Sequence, residues 1–196
     1  TIAPEAGSQR LRNVIHKGVT REALMEAVDR AAGRFPHLKL YYMVGLPTET
    51  ETDVEALVEL TLGASGHFPG RLTVNVTPFV PKAHTPFQRL AQTSAKDVKR
   101  RLARVERGLR KHRIGVKSES PAWAELQGTL ARGDRQLAEA LLSVERPSPS
   151  AWRQALDAAG LSLPELLADR PAGEPLPWAF IHSGARPAPS PVTTAQ

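Results

Sequence analysis

Three short segments hold most of the side chains that could do chemistry: APEAGS (3–8), GLPTET (45–50) and TPFVPKAHTPF (77–87). Each follows a run that reads as a strand, and each mixes Gly or Pro with carboxylates, hydroxyls or a cation. Gly permits close backbone approach to a ligand, and Pro stiffens the exit of a loop. Glu5 could accept hydrogen bonds from ligand hydroxyls, or it could complement the N-terminal dipole of the helix that follows. Lys17 could bind a carboxylate or phosphate, or neutralise the last turn of that same helix. Taken one residue at a time, the dipole roles are the better reading of both. His16 and His84 have no second His or carboxylate at metal-ligand spacing, so no metal is assigned to side chains of this chain. Cysteine is absent. That excludes disulfides, a thiolate nucleophile and any iron–sulfur or zinc site built on thiolates from these residues. The tripeptide RGD (132–134) reads as coincidence and is expected to form salt bridges.

The elements that must position these segments follow from periodicity. Ser8 can cap a helix with Leu11, Val14 and Ile15 on one face and Gly18 at its end. Thr20 opens a second helix whose apolar face is Leu24, Ala27, Val28 and Ala31. LKLYYMVG (38–45) predicts a buried strand, and TETETDVEALVEL predicts a helix with its carboxylates in the first turn. There Val54, Leu57, Val58 and Thr61 share a face. RLTVNVTPF (71–79) alternates as a strand. A long helix follows, starting near Ser94 and Asp97, with the seam Val98, Leu102, Val105 and Leu109. Strands separated by helices imply an α/β fold with parallel pairing. Beyond Val116 the chain predicts a small, mainly helical extension packed by Trp and Leu. The tail 185–196 has no apolar period and is expected to be disordered.

Charge is concentrated rather than spread. The 196 residues carry a net +6, yet Ser94–Gly115 holds nine Lys or Arg against Asp97 and Glu106. That helix is +7, so the remainder sums to about −1. Such a helix could bind RNA or an acidic partner through phosphates or carboxylates. Its continuous apolar seam and lack of interleaved aromatics fit a solvated outer face better. No 18-residue apolar run or basic-then-apolar leader is present, so the expectation is no membrane span and a cytoplasmic setting.

Together the segments resemble a known family. TIAPEAGSQRLRNVIHKG (1–18) resembles the fourth-strand region of radical S-adenosylmethionine (radical SAM) enzymes. YYMVGLPTETETDV (41–54) resembles their fifth-strand motif, and LTVNVTPFVPKAHTPFQ (72–88) their sixth strand with its Pro-rich exit. The wording is close to a subgroup with an upstream cobalamin-binding-like domain, whose extension WAELQGTLARGDRQLAEAL (123–141) and LPWAFIHSG (176–184) also resemble.

The resemblance implies the C-terminal half of a partial (β/α)6 TIM-like barrel over 1–116, a helical family extension over 117–184, and the tail. It implies S-adenosylmethionine near Glu5, Ser8, Lys17, Met43, Val44, Gly45, Phe79 and Val80. Glu5 and Ser8 would serve the ribose and amino-acid part, and Lys17 the carboxylate. Met43, Val44, Gly45, Phe79 and Val80 would serve the adenine. Family chemistry is reductive cleavage of S-adenosylmethionine by a [4Fe–4S] cluster to a 5′-deoxyadenosyl radical, with the protein binding and shielding. The family holds its cluster with C-x3-C-x2-C after the first strand, which this sequence lacks. The expectation is therefore a C-terminal portion, inactive by itself, whose partner is the N-terminal half of the same protein. Cobalamin would come only through an upstream domain.

Overall fold

A computed structural model describes residues 1–182 and 184; the tail expected to be disordered, 185–196, lies outside the described residues. The chain forms two compact units. The first comprises residues 1–79 and 96–119, and the second 80–95 with the described residues from 120 onward. The division departs from the boundary at 116 expected from sequence, because the Pro-rich loop 80–95 belongs with the helical unit.

The first unit is α/β. Strands β1 (Ile2–Glu5), β2 (His37–Val44), β3 (Arg71–Pro78) and β4 (Gly115–Ser118) form one parallel sheet in the order β1-β2-β3-β4. β2 and β3 pair in unbroken register from His37 opposite Arg71 to Val44 opposite Pro78. β1 pairs Ile2 with Leu40 and Glu5 with Tyr42, with an irregularity between. β4 was not anticipated: GVKS is short and its residues are mostly exposed, so no alternation announces it.

Helices α1 (Gln9–Val14), α2 (Arg21–Ala31), α3 (Glu51–His67) and α4 (Ala95–Arg110) connect the strands. Their starts follow their caps. The side chains of Ser8, Thr20 and Thr50 accept from Leu11, Ala23 and Asp53 N–H respectively, satisfying donors a helix start leaves open. α1 ends sooner than its apolar period suggested. Its C-cap is Ile15, and His16 and Gly18 both take left-handed φ, 53° and 63°.

The core is one-sided. Leu38, Leu40, Tyr42 and Val44 of β2 and Leu72, Val74 and Val76 of β3 are buried against Leu24, Val28, Leu57, Leu60, Val98, Leu102, Val105 and Leu109 of α2, α3 and α4. The alternate residues Tyr41, Met43, Asn75 and Thr77 are half-buried and take no part in that cluster. The expected α4 seam is buried as a whole.

In the second unit, α5 (Pro121–Arg132), α6 (Leu137–Ser143), α7 (Pro149–Ala158) and α8 (Leu163–Leu167) follow one another. Leu137, Ala140, Trp152, Ala155 and Leu156 form its core. The expected salt bridges of RGD are corrected by the structure. Arg132 is fully buried and donates to backbone carbonyls of Leu90 (2.6 Å), Leu167 (3.3 Å) and Ala168 (2.5 Å), because α5 and α8 leave those acceptors inside. Asp134 instead accepts from Gln136 N–H. Among the described residues, no helix is long and apolar enough to cross a membrane.

One glycine carries the β1 exit. A Cβ on Gly7 would lie 2.0 Å from Leu57 N and 2.2 Å from Leu57 Cα, so the loop rests directly on the α3 backbone. Gly7→Ala should therefore destabilise by about 1–3 kcal/mol or more, since neither backbone can yield cheaply. Gly66, near the end of α3, has open space around the same atom, and Gly66→Ala should stabilise by up to about 1 kcal/mol. Paired urea or thermal melts check the contrast; equal effects of the two would contradict the close approach.

Candidate functional site

The C-terminal ends of β1, β2 and β3 converge. Ala6 follows β1, Leu46 follows β2, and together with Leu11 they form a buried apolar cluster against which Ile15, Met43 and Phe79 pack. The connection is also polar, since Phe79 N–H donates to Val44 C=O at 2.8 Å. Ala6, Leu46 and Phe79, far apart in sequence, are thus held at one end of the sheet.

Glu5 is the last residue of β1 and has φ 66°. A left-handed conformation in a residue with a side chain is uncommon and costs strain that neighbours must hold. The holding group is Arg12, buried on α1. Its guanidinium donates to Ala6 C=O (3.0 Å), Gly7 C=O (2.8 Å) and Val19 C=O (2.9 Å). The Glu5 carboxylate forms an ion pair with Lys17 at 3.3 Å, and both side chains are about a third exposed. Lys17 lies beyond the end of α1, so its partner is Glu5 rather than the helix dipole.

The expected site residues differ in exposure and in what engages them. Glu5 and Lys17 keep accessible charged groups, and Met43 and Phe79 supply half-buried apolar surface. Ser8 donates to Asp53 Oδ1 at 2.5 Å while its oxygen caps α1. Val44 is fully buried on the helix-covered side. Gly45 has φ 83° and its N–H donates to Glu49 Oε2 at 2.7 Å. Val80 falls in the second unit.

Two carboxylates that sequence reasoning passed over organise the loops. Asp53, at the third helical position of α3, completes a reciprocal capping box with Thr50. It also accepts from Ser8 and forms an ion pair with Arg10. Burial works to raise its pKa, but the hydrogen bonds from Arg10, Ser8 and Thr50 outweigh it and hold the carboxyl at about 2. The signal was present as T-x-x-D ahead of an apolar run. Glu49, inside GLPTET, is 3% exposed and meets Arg101 of α4 at 2.8 Å. Arg101 also donates to Glu49 C=O at 3.0 Å. Burial pushes the Glu49 carboxyl up to about 7, against the lowering effects of the Gly45 N–H and Arg101. Arg101 read in the sequence as one more cation of a solvated face.

Two cavities lie away from the β1 and β2 exits. One of about 780 Å³ sits in the second unit beside Leu130, Pro177 and Trp178, and one of about 410 Å³ sits near Thr1, His37 and Leu38, at the opposite end of the strands. Among the described residues, no group of three or more His, Cys, Asp or Glu is arranged to hold a metal ion.

Comparison with known proteins places the chain beside one curated protein. It is 37% identical over 150 residues to the uncharacterized protein MJ0966 of Methanocaldococcus jannaschii, a match that covers 76% of this chain and 33% of the relative. The chain thus spans about a third of the length of the curated relative it matches. No family model matches the chain, and no solved structure matches it.

Glu49 generates a pH prediction. Its carboxyl titrates near 4.5 when unfolded and near 7 when folded, so between those values the folded state binds more protons. Stability should fall as pH rises from about 4.5 to 7, by up to about 3 kcal/mol, and level off above. Because His37 is shifted down by burial and nearby cations, it contributes with the opposite sign in part of that window. The readout is therefore the difference between wild type and Glu49→Gln in urea titrations. That difference should slope across pH 4.5–7; a flat one would show that Arg101 keeps Glu49 ionised throughout.

Proposed function

We propose that this chain is the S-adenosylmethionine-binding, C-terminal portion of a radical SAM barrel. The observation that carries the reading is the one-sided sheet whose three strand-end loops converge. In a doubly wound fold, helices cover both faces of a parallel sheet. In a barrel, helices ring the outside, the other face turns inward, and the C-terminal strand ends form the active face. Here the α2, α3 and α4 core lies on one side, while Tyr41, Met43, Asn75 and Thr77 line the other. Of the residues that the resemblance singles out, Glu5, Met43, Val44, Gly45 and Phe79 lie at or next to the ends of β1, β2 and β3, which supports the reading.

The side chains present fit the ligand in part. The Glu5 carboxylate would accept from the ribose hydroxyls, and Lys17 would leave it to pair with the ligand carboxylate. Met43 and Phe79 would cover the adenine. Ser8 and the Gly45 N–H, engaged with Asp53 and Glu49, would set loop shape rather than touch the ligand. S-adenosylmethionine supplies the radical chemistry when a complete barrel binds it with a [4Fe–4S] cluster. The cluster ligands must come from outside these residues, since the chain has no Cys. The implied partner is the rest of a longer protein, in keeping with a relative of which this chain spans a third. Cobalamin would enter only through a further domain of that protein.

Two measurements test the reading. The coding DNA upstream of Thr1 should continue in frame and encode C-x3-C-x2-C; a start codon immediately before Thr1 would overturn it. Titration of the chain with S-adenosylmethionine, followed by amide NMR, should shift residues 5–7, 43–46 and 79. Glu5→Gln should weaken binding about tenfold, the loss expected for a hydrogen bond to a charged group. Saturable shifts elsewhere, or none, would count against the site.

A further inference from the structure

The cations of α4 divide into two sets. Arg100 pairs with Glu51 (3.2 Å) and Asp97 (3.3 Å), Arg101 with Glu49 (2.8 Å), and Arg104 with Glu51 and Glu55. The acidic first turns of α3 therefore consume one flank of the basic helix. Lys96, Lys99, Arg107 and Arg110 lie elsewhere on it. At 100° per residue they fall within one stripe about 80° wide, centred about 130° from the buried seam Val98, Leu102, Val105 and Leu109. All four are exposed, and Lys111 and Arg113 extend the charge beyond the helix end. Among the described residues, no hydrogen bond or ion pair engages these six side chains. The stripe from Lys96 to Arg110 runs about 21 Å along the axis at 1.5 Å per residue.

We propose that this stripe binds the phosphate backbone of a single-stranded nucleic acid. The inference does not rest on the cofactor reading above. What the face lacks chooses among anionic partners. Its central residue is Ala103, and it carries no aromatic or large aliphatic side chain. A protein partner relies on a few buried apolar or aromatic anchors. An anionic membrane surface binds amphipathic helices whose large apolar side chains insert. Neither feature is offered here. A phosphate chain needs only spaced cations, and it gains affinity by releasing its own counterions. Without an aromatic platform, bases are not stacked, so binding is independent of sequence and equal for RNA and DNA strands.

The test uses the full chain and fluorescein-labelled rU20 and dT20 in anisotropy titrations across salt concentrations. With about four phosphates neutralised, log K should fall with log salt at a slope of roughly −3. The variant Lys96→Gln/Lys99→Gln/Arg107→Gln/Arg110→Gln, checked for unchanged circular dichroism, should lose at least tenfold in affinity and most of the slope. Arg30→Gln/Arg34→Gln, at and just beyond the end of α2, should change neither. Binding that survives the quadruple variant overturns the proposal. So does polyglutamate competing as well as rU20 at equal charge, which would make the partner an acidic protein. No binding at low salt overturns it equally.

Discussion

The Asp53 carboxylate has two oxygens, and four donors reach for them. Ser8 Oγ takes Oδ1; Arg10 Nη2, Thr50 N–H and Thr50 Oγ take Oδ2. Those donors come from the start of α1 and from the loop after β2, so this one side chain joins the exit of β1 to the entry of α3. Although it is buried, the donors that converge on it hold its carboxyl at about 2. The dependence runs both ways. Without Asp53, Ser8 and Thr50 would keep their cap positions, but the side-chain tie between the two segments would fall to the Arg10–Thr48 hydrogen bonds.

That tie explains why other features of the strand ends can be strained. Glu5 and Thr48 both hold positive φ, 66° and 62°, a conformation that costs energy outside glycine. Thr48 is held by Arg10, which donates to both its hydroxyl (3.0 Å) and its carbonyl (2.8 Å). Glu5 is held by Arg12 from below. Arg10 and Arg12 sit two residues apart on the short α1, one facing Asp53 and Thr48, the other turned inward to the carbonyls of the β1 exit. A six-residue helix would be marginal by itself; here it is a carrier for two guanidinium groups. Gly7 completes the arrangement because the loop can descend onto the α3 backbone only where no Cβ intervenes.

Periodic elements were legible in the sequence because packing decides them. The β2 and β3 alternation, the α4 seam and the Thr20 and Ser8 caps all appear where apolar spacing and short polar side chains put them. β4 was not legible, since four mostly exposed residues at a sheet edge leave no pattern. The wiring of the site was harder. Glu5 and Lys17 stood out as charged residues beside a strand end, yet their pairing depends on where α1 stops, and Ile15 stops it a turn earlier than the apolar pattern suggested. Glu49 and Asp53 looked alike as acidic first-turn residues. Only the fold separates them, giving one a surplus of donors and the other a buried place beside a single arginine.

The same distinction reshapes the basic helix. Nine cations in one segment look like one property, but the acidic start of α3 lies beside only one flank of α4. On that flank, charge serves the fold: Arg101 is largely buried and holds Glu49, which holds the turn after β2 through the Gly45 N–H. On the other face, charge has no structural duty, and self-repulsion among Lys96, Lys99, Arg107 and Arg110 costs stability. A helix that needed only solubility could alternate signs there and gain from i, i+4 pairs. Glu106 is the lone acid between Asp97 and Gly115. Uncompensated like charge on an otherwise featureless face is a cost the fold does not require, and an anionic chain laid along it would relieve that cost.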